Sequence, residues 1–403
     1  MIERHARTII ILLLALDSVA LFFGISTLSI SQSEAEIYFG KEGLLYHLTH
    51  FSTLLFGQND LALRLPFVFF HLLSCLLLLL LAAKMTKTKS DRILALLLFI
   101  LLPGTIASAL LVNEAGPVIF LTLCIFCAHE YGKKWLFYAL LILAFFADKS
   151  FIMLFLAFFL FGIYQKNPLL SLLSLLLFSL NLAHHGFDTG GRPSGHFLDT
   201  LGIFAACFSP LIFLYFLYVI YRLAFQKDRP ALWFLMGTTF IFCSLLSLRQ
   251  RLFLEDFLPF CVIGTPLLVR TLMQSYRVRL PKFRLKYRIF MECAGIFLLV
   301  CYVVIMNNQL LYHFIDKPTT HFAHHYHLAK ELSQELKKNG ISELRVAKNL
   351  QKRLKFYGIK DSDVFYLSPI NSSDKPSATG KVIRLKFGKH EKIYQVKSHE
   401  KSL

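Results

Sequence analysis

Runs of almost unbroken apolar residues recur along this chain, among them Leu76–Ala83, Ile93–Leu102, Leu140–Ala147 and Ser171–Leu180. They are too dense for one amphipathic face, and a helix that is apolar all round belongs in a deep core or in lipid. About ten such runs in a chain of 403 residues mean lipid. Composition agrees, with 56% hydrophobic and 17% charged residues, where soluble domains average roughly 45–50% and about 25%. A bilayer core is crossed by about 20 apolar residues. That ruler predicts about eleven spans, near 8–30, 62–83, 93–112, 116–131, 135–147, 150–164, 168–184, 201–224, 231–247, 256–273 and 289–307. The expected fold is an all-α polytopic membrane protein. The fifth and sixth spans are short, and Asp148-Lys149-Ser150 interrupts them.

The net charge of +18 does not point to nucleic acid, because the basic residues lie in short loops between apolar runs and in the tail. One alternating set of loops holds Arg4, Arg7, Lys84, Lys87, Lys89, Arg92, Lys133, Lys134, Lys166, Arg222, Lys227, Arg229 and the stretch Arg270–Arg288. The other set holds Glu34, Glu36, Glu42, Asp60, Glu114, Asp148, Asp188, Asp199, Glu255 and Asp256. Positive loops stay in the cytoplasm. The expected protein is therefore a multi-pass protein of the bacterial inner membrane, with a cytoplasmic N-terminus and a periplasmic C-terminal domain. All eight cysteines fall inside apolar segments and read as small buried hydrophobes.

Two domains are expected: a transmembrane domain over 1–310 and a basic α/β domain over 316–403. The tail carries 18 Lys or Arg against 9 Asp or Glu, which suits anionic headgroups or glycolipids. Helices are expected at Ala329–Lys338 and Asn349–Tyr357, strands at Leu344–Ala347 and Val364–Leu367, and a hairpin at Lys381–Phe387 and Lys392–Val396. Asn371-Ser372-Ser373 matches an N-glycosylation sequon. The cluster His321, His324, His325 and His327 has i, i+3, i+4 spacing, which on a helix would put three imidazoles on one face. An interfacial amphipathic helix is the expectation there, with zinc or copper binding the alternative.

The first acidic loop is the most informative stretch. It contains Ser33-Glu34-Ala35-Glu36-Ile37-Tyr38, then Lys41-Glu42-Gly43-Leu44-Leu45-Tyr46-His47, then Leu55–Pro66. Acids kept beside a span are costly unless they have a task. Glu34 or Glu36 could act as a general base on an acceptor hydroxyl; the bland alternative is that both hydrate the loop. A lipid phosphate at that level would need fixed cations. Lys41, Lys149, Arg249 and Arg251 are the basic groups on these loops apart from Arg64 and Arg192. Snorkelling is the alternative for Arg249 and Arg251, and Arg64 is expected to pair with Asp60 or Glu36. The glycine-rich loop from His184 to Asp199 is a candidate lid.

At Leu-Phe-Gly-Gln-Asn-Asp-Leu-Ala-Leu-Arg-Leu-Pro (Leu55–Pro66) the chain resembles the GT-C class membrane glycosyltransferases. The protein O-mannosyltransferase-like enzymes and the lipid A aminoarabinose transferases are the nearest branches. The resemblance runs more weakly through Glu114, Asp148-Lys149-Ser150 and Arg249–Pro259, covering about 1–310. It implies a sugar passed from a polyprenyl-phosphate donor to a glycolipid or protein acceptor outside the cytoplasm. An acid of the first loop would be the base, and Lys and Arg would hold the donor phosphate. By position, the acidic motif falls on Ser33-Glu34, with Glu36 as second candidate, and the donor lysines on Lys41 and Lys149. Tyr38, Tyr46, His47 and Glu114 are expected on the acceptor side or in support. The chain departs from the family pattern at Ser33, where Asp is expected, and at Glu42-Gly43, where Pro-Pro is expected. A divalent metal is compatible with the resemblance but not implied by it. The expected partners are the lipid-linked sugar, its acceptor and membrane lipids, without nucleic acid. A flippase for a lipid-linked sugar and an inactive GT-C-like scaffold are the competing functions.

Overall fold

The computed structural model describes residues 5–40, 42–186, 189–190, 195–362, 365–370 and 381–398. Its first helices are α1 (Ala6–Ser26), α2 (Gln32–Tyr38), α3 (Leu44–Phe56), α4 (Asp60–Met85), α5 (Lys89–Leu101) and α6 (Pro103–Leu110). Then come α7 (Ala115–Glu130), α8 (Lys134–Ala147), α9 (Ile152–Tyr164), α10 (Pro168–His185), β1 (Thr189–Gly190), α11 (Phe197–Phe208), α12 (Pro210–Ala224) and α13 (Ala231–Ser247). The rest is β2 (Arg251–Leu252), α14 (Pro259–Val262), α15 (Thr265–Val278), α16 (Pro281–Met306), α17 (Ala329–Lys338), α18 (Lys348–Phe356), β3 (Phe365–Ile370), β4 (Lys381–Phe387) and β5 (His390–Ser398). These form two compact units: Met1–Val19 with Phe67–Tyr302, and Ala20–Pro66 with Val303–Leu403.

Among the described residues, α1, α4, α10 and α16 are each long and apolar enough to cross a membrane. Three further segments reach that length only as bent pairs: α5 with α6 (61°), α11 with α12 (106°), and Leu254–Val262 with α15 (44°). Four shorter apolar helices cover Ala115–Glu130, Lys134–Ala147, Lys149–Tyr164 and Ala231–Ser247. Every apolar segment read from the sequence is thus helical, and the chain is a membrane protein. Ile11, Phe69, Phe146, Leu172 and Leu214 are more than half exposed, as lipid-facing side chains must be.

The expected straight spans 93–112 and 201–224 are broken. Pro103 opens α6 and forces Leu102 into extended backbone (φ −65°, ψ 129°). Ser209, before Pro210, adopts a left-handed φ of 69°, which turns the chain sharply between α11 and α12. Hydropathy sums over such corners.

In the first unit, aromatic side chains build much of the core. Phe204, Phe208 and Phe216 are fully buried, and Phe204 meets Phe240 edge to face at 5.2 Å. The buried Asp91 carboxylate of α5 receives Arg277 of α15 at 2.5 Å. The Asp148 side chain accepts from the Ser150 amide at 2.8 Å, capping the short 3-10 turn Lys149–Phe151 that separates α8 from α9.

In the second unit, α17 and α18 pack with an antiparallel sheet ordered β3-β5-β4 around Leu332, Leu336, Leu354, Ile383, Leu385 and Val396. Ile383 and Leu385 alternate inward along β4, while Arg384 stays exposed between them. The expected hairpin forms with Phe387 opposite His390. The expected strand at Leu344–Ala347 does not form. Single parallel bridges pair Glu343 with Lys360 and Arg345 with Tyr366 instead. The histidine segment is not an amphipathic helix either. It runs through two 3-10 turns, Pro318–Thr320 and His324–Tyr326, and His321 and His327 turn inward. The sequon at Asn371 lies outside the described residues.

Gly162 of α9 lies against α10, where a Cβ would come 2.6 Å from Ser171 Oγ and 2.9 Å from its backbone nitrogen. Overpacking of this kind costs about 1–3 kcal/mol. Gly162→Ala is therefore expected to lower the thermal midpoint of the detergent-solubilised protein. Gly202→Ala on α11, with nothing within 4 Å, should leave it unchanged or raise it.

Candidate active site

The first acidic loop folds into the second unit. Ser31 caps α2: its Oγ accepts from the Glu34 amide at 3.2 Å, and the Ser31 amide donates to Glu34 Oε2 at 2.9 Å. This capping box turns Glu34 inward, leaving it 1% exposed. Arg64, fully buried on α4, donates to both carboxylate oxygens, from Nε to Oε1 at 3.1 Å and from Nη2 to Oε2 at 2.7 Å. Its remaining donors reach the carbonyls of Leu28 (3.3 Å) and Ser29 (3.0 Å). Arg64 therefore pairs with Glu34 rather than with Asp60 or Glu36, because the capping box brings Glu34, and not Glu36, to the inner side of α2.

Asp60 has partners of its own. It accepts from Tyr357 Oη at 2.6 Å and lies 3.2 Å from Lys330 Nζ. Burial and the Asp60 carboxylate push the Tyr357 phenol well above its ordinary range. Arg353 donates to the carbonyls of Ile30 (2.7 Å) and His327 (2.8 Å). Asp60, Lys330, Lys337, Gln58 and Tyr357 line one groove. Glu36 is exposed and accepts from Gln32 at 3.1 Å. Tyr38 is buried and stacks on His50 at 4.4 Å, and Tyr46 lies against the same imidazole at 4.0 Å. His47 is exposed. Lys41, and Asp188 of the candidate lid, fall outside the described residues.

The first unit gathers a second set of chemical groups. Lys149 Nζ lies 3.3 Å from Asp256 Oδ2. Glu114 precedes α7 and hydrogen-bonds with Asp148. Glu114 is an exposed residue, and its carboxyl end meets Asp148. There, desolvation and the adjoining Asp148 raise it to about 8. The two carboxyls sit beside Lys149, and the Asp148 charge favours the neutral form of Glu114. Arg249 and Arg251 are exposed, and Arg251 sits in β2 opposite Gly190.

Sequence reasoning singled out Glu34, Lys149 and Glu114 without seeing their partners. Asp148 and Asp256 enter the sequence reading as loop acids and within the family-like stretches, without a role of their own, and Arg353 does not enter it. Asp148, next to Lys149 in the same turn, was the available signal for the second set. No local pattern marks Arg353, whose partner Ile30 is 323 positions away.

His327 lies between Asn308 Oδ1, at 2.8 Å from its Nε2, and Tyr312 Oη, at 2.9 Å from its Nδ1. It is held as a neutral ring, and burial lowers its pKa to about 3; burial, with Lys392 next in effect, lowers His324 to about 4. Unfolded histidine titrates near 6.5. Below that pH the unfolded chain takes up protons that the native unit refuses, so stability falls as pH drops from about 6.5 towards 4. Hydrogen exchange over residues 329–356, corrected for intrinsic rates, should accelerate across that window, and His327→Gln should flatten the dependence.

No family model matches the chain, and no curated protein matches it. Solved structures do. The apo crystal structure of ArnT from Cupriavidus metallidurans superposes with a TM-score of 0.55 at 13% identity, covering 96% of this chain and 97% of that one. The crystal structure of the same protein bound to undecaprenyl phosphate gives a TM-score of 0.53 at 12% identity, covering 97% of this chain and 98% of that one. The likeness extends through the tail as well as the apolar helices. The chain has the GT-C-like fold of these ArnT structures.

Proposed function

We propose that this protein is an inner-membrane glycosyltransferase that takes a sugar from a polyprenyl-phosphate donor and passes it to a glycolipid or protein acceptor on the periplasmic face. The observation that carries this reading is the end-to-end likeness to a protein solved with undecaprenyl phosphate. It is joined by an acidic loop and a lysine turn at the motif positions expected for sugar transfer. Fold alone does not imply chemistry, so the reading stands on the roles of particular residues.

Lys149 is the proposed donor-phosphate ligand, with Lys41, Arg249 and Arg251 supporting it. Because Lys149 is paired with Asp256, the phosphate would enter as a second anion on that ammonium. Glu34 is the proposed base, with Glu36 as second candidate. Arg64 occupies both Glu34 oxygens, so proton abstraction requires one of those bonds to open as the acceptor hydroxyl arrives. Tyr38, Tyr46, His47 and Glu114 are proposed to support the acceptor side. The groove lined by Asp60 and Lys330 offers hydroxyl and phosphate groups both an acceptor and a cation.

One observation favours the transport reading: Asp17, His71 and Tyr302 form a paired polar set within apolar helices, as a path through a membrane would require. Purified protein supplied with a radiolabelled polyprenyl-phosphate sugar separates the two. Glu34→Gln is expected to cut transfer by about 100-fold or more with donor binding retained, the scale on which general bases act. Lys149→Ala should weaken donor binding itself. Undiminished transfer by both Glu34→Gln and Glu36→Gln would remove the base assignment. Absence of transfer from any donor, with lipid scrambling in its place, would favour the flippase.

A further inference from the structure

Asp17 of α1 and His71 and Cys75 of α4 meet in the first unit, 4%, 3% and 0% exposed. His71 and Cys75 are one helical turn apart and so share a face. His71 Nε2 lies 3.0 Å from Asp17 Oδ2 and 3.7 Å from Cys75 Sγ. The three ligand-type atoms all fall within 4.8 Å of one another. Tyr302 donates from Oη to the other Asp17 oxygen at 3.0 Å, and the His71 ring stacks on Phe99 at 5.7 Å between centroids.

A buried Asp–His hydrogen bond accounts for part of this arrangement. It does not account for Cys75, because a single Nε2–H directs its proton to one acceptor, while this nitrogen faces two heteroatoms. Tetrahedral zinc, with Zn–N near 2.0–2.1 Å, Zn–O near 2.0–2.2 Å and Zn–S near 2.3 Å, sets N···O about 3.3 Å and N···S about 3.5 Å apart. The observed spacings lie close to both. Charge points the same way. One carboxylate, one thiolate and a neutral imidazole sum to zero with a divalent cation, the neutrality that a site inside apolar helices demands.

We propose that Asp17, His71 and Cys75 form a zinc site between α1 and α4, with a water in the fourth position. Binding releases the Cys75 proton and uses the neutral His71 ring. Tyr302 positions the carboxylate by holding its other oxygen. Imidazole and thiolate donors together select zinc over the hard cations that favour all-oxygen sites.

The test uses the full chain, purified in detergent after expression with zinc. Elemental analysis should find about one zinc per chain, and Cys75→Ser and Asp17→Asn should lose it while still eluting as monodisperse protein. Tyr302→Phe should weaken zinc binding by about 10–100-fold, as loss of a ligand-orienting hydrogen bond does. Cobalt exchanged into the wild-type protein should show a thiolate-to-cobalt charge-transfer band, absent in Cys75→Ser. Should the variants fail to fold, the wild-type cobalt spectrum decides alone. Wild-type protein without stoichiometric zinc and without that band would overturn the site. So would zinc retained by Cys75→Ser, or zinc lost on His324→Ala.

Discussion

A guanidinium with no access to solvent must find its hydrogen bonds within the protein, and Arg64 makes four. Two of its bonds take both oxygens of Glu34, and two more take the carbonyls of Leu28 and Ser29. Breaking such a pair from one side leaves a buried charge uncompensated, which costs about 3–5 kcal/mol. The loop that joins α1 to α2 lacks regular backbone pairing, so its carbonyls need outside donors. Arg353 supplies the next one, at Ile30. The conformation of the first acidic loop thus rests on two arginines, one from α4 and one from the tail.

This dependence explains which parts of the architecture could be read from the amino acids. The apolar runs were legible because lipid leaves a helix no other way to satisfy its backbone. Each run is helical in the structure. Corners were not legible, since 201–224 has the hydropathy of a span whether or not Ser209 turns the chain between α11 and α12. In the tail, the helix at Ala329–Lys338 and the hairpin were visible from their own periodicity and turn residues. Leu344–Ala347 looked like a strand by composition, but its neighbours offer only isolated bridges.

The chemical residues divide along a similar line. Glu34, Glu114 and Lys149 stand out because charges beside apolar runs are rare. Their pairings did not stand out: the sequence suggests Asp60 or Glu36 for Arg64, and Asp148 and Asp256 acquire meaning only once folded. Spacing also misled at His321–His327. Three imidazoles at helical intervals implied one face, but Asn308 and Tyr312 draw His321 of that set, and His327 after it, inward. The i, i+4 pair His71 and Cys75 passed unremarked inside a leucine-rich run, since its third member is on another helix.

The second unit also imposes an order on synthesis. Ile30 donates to Tyr357 across 327 positions of chain, and Gln58 reaches Phe356 across 298. At a ribosomal pace of about 5–20 residues per second, the early loop waits roughly 15–65 s for those partners to emerge. Throughout that interval the helices between them are being inserted into the bilayer. The loop's carbonyls must meanwhile be kept wet or sheltered by another protein. Nascent chains stalled before Arg353 would therefore present an unfinished, protease-sensitive loop, however well their apolar helices had been threaded.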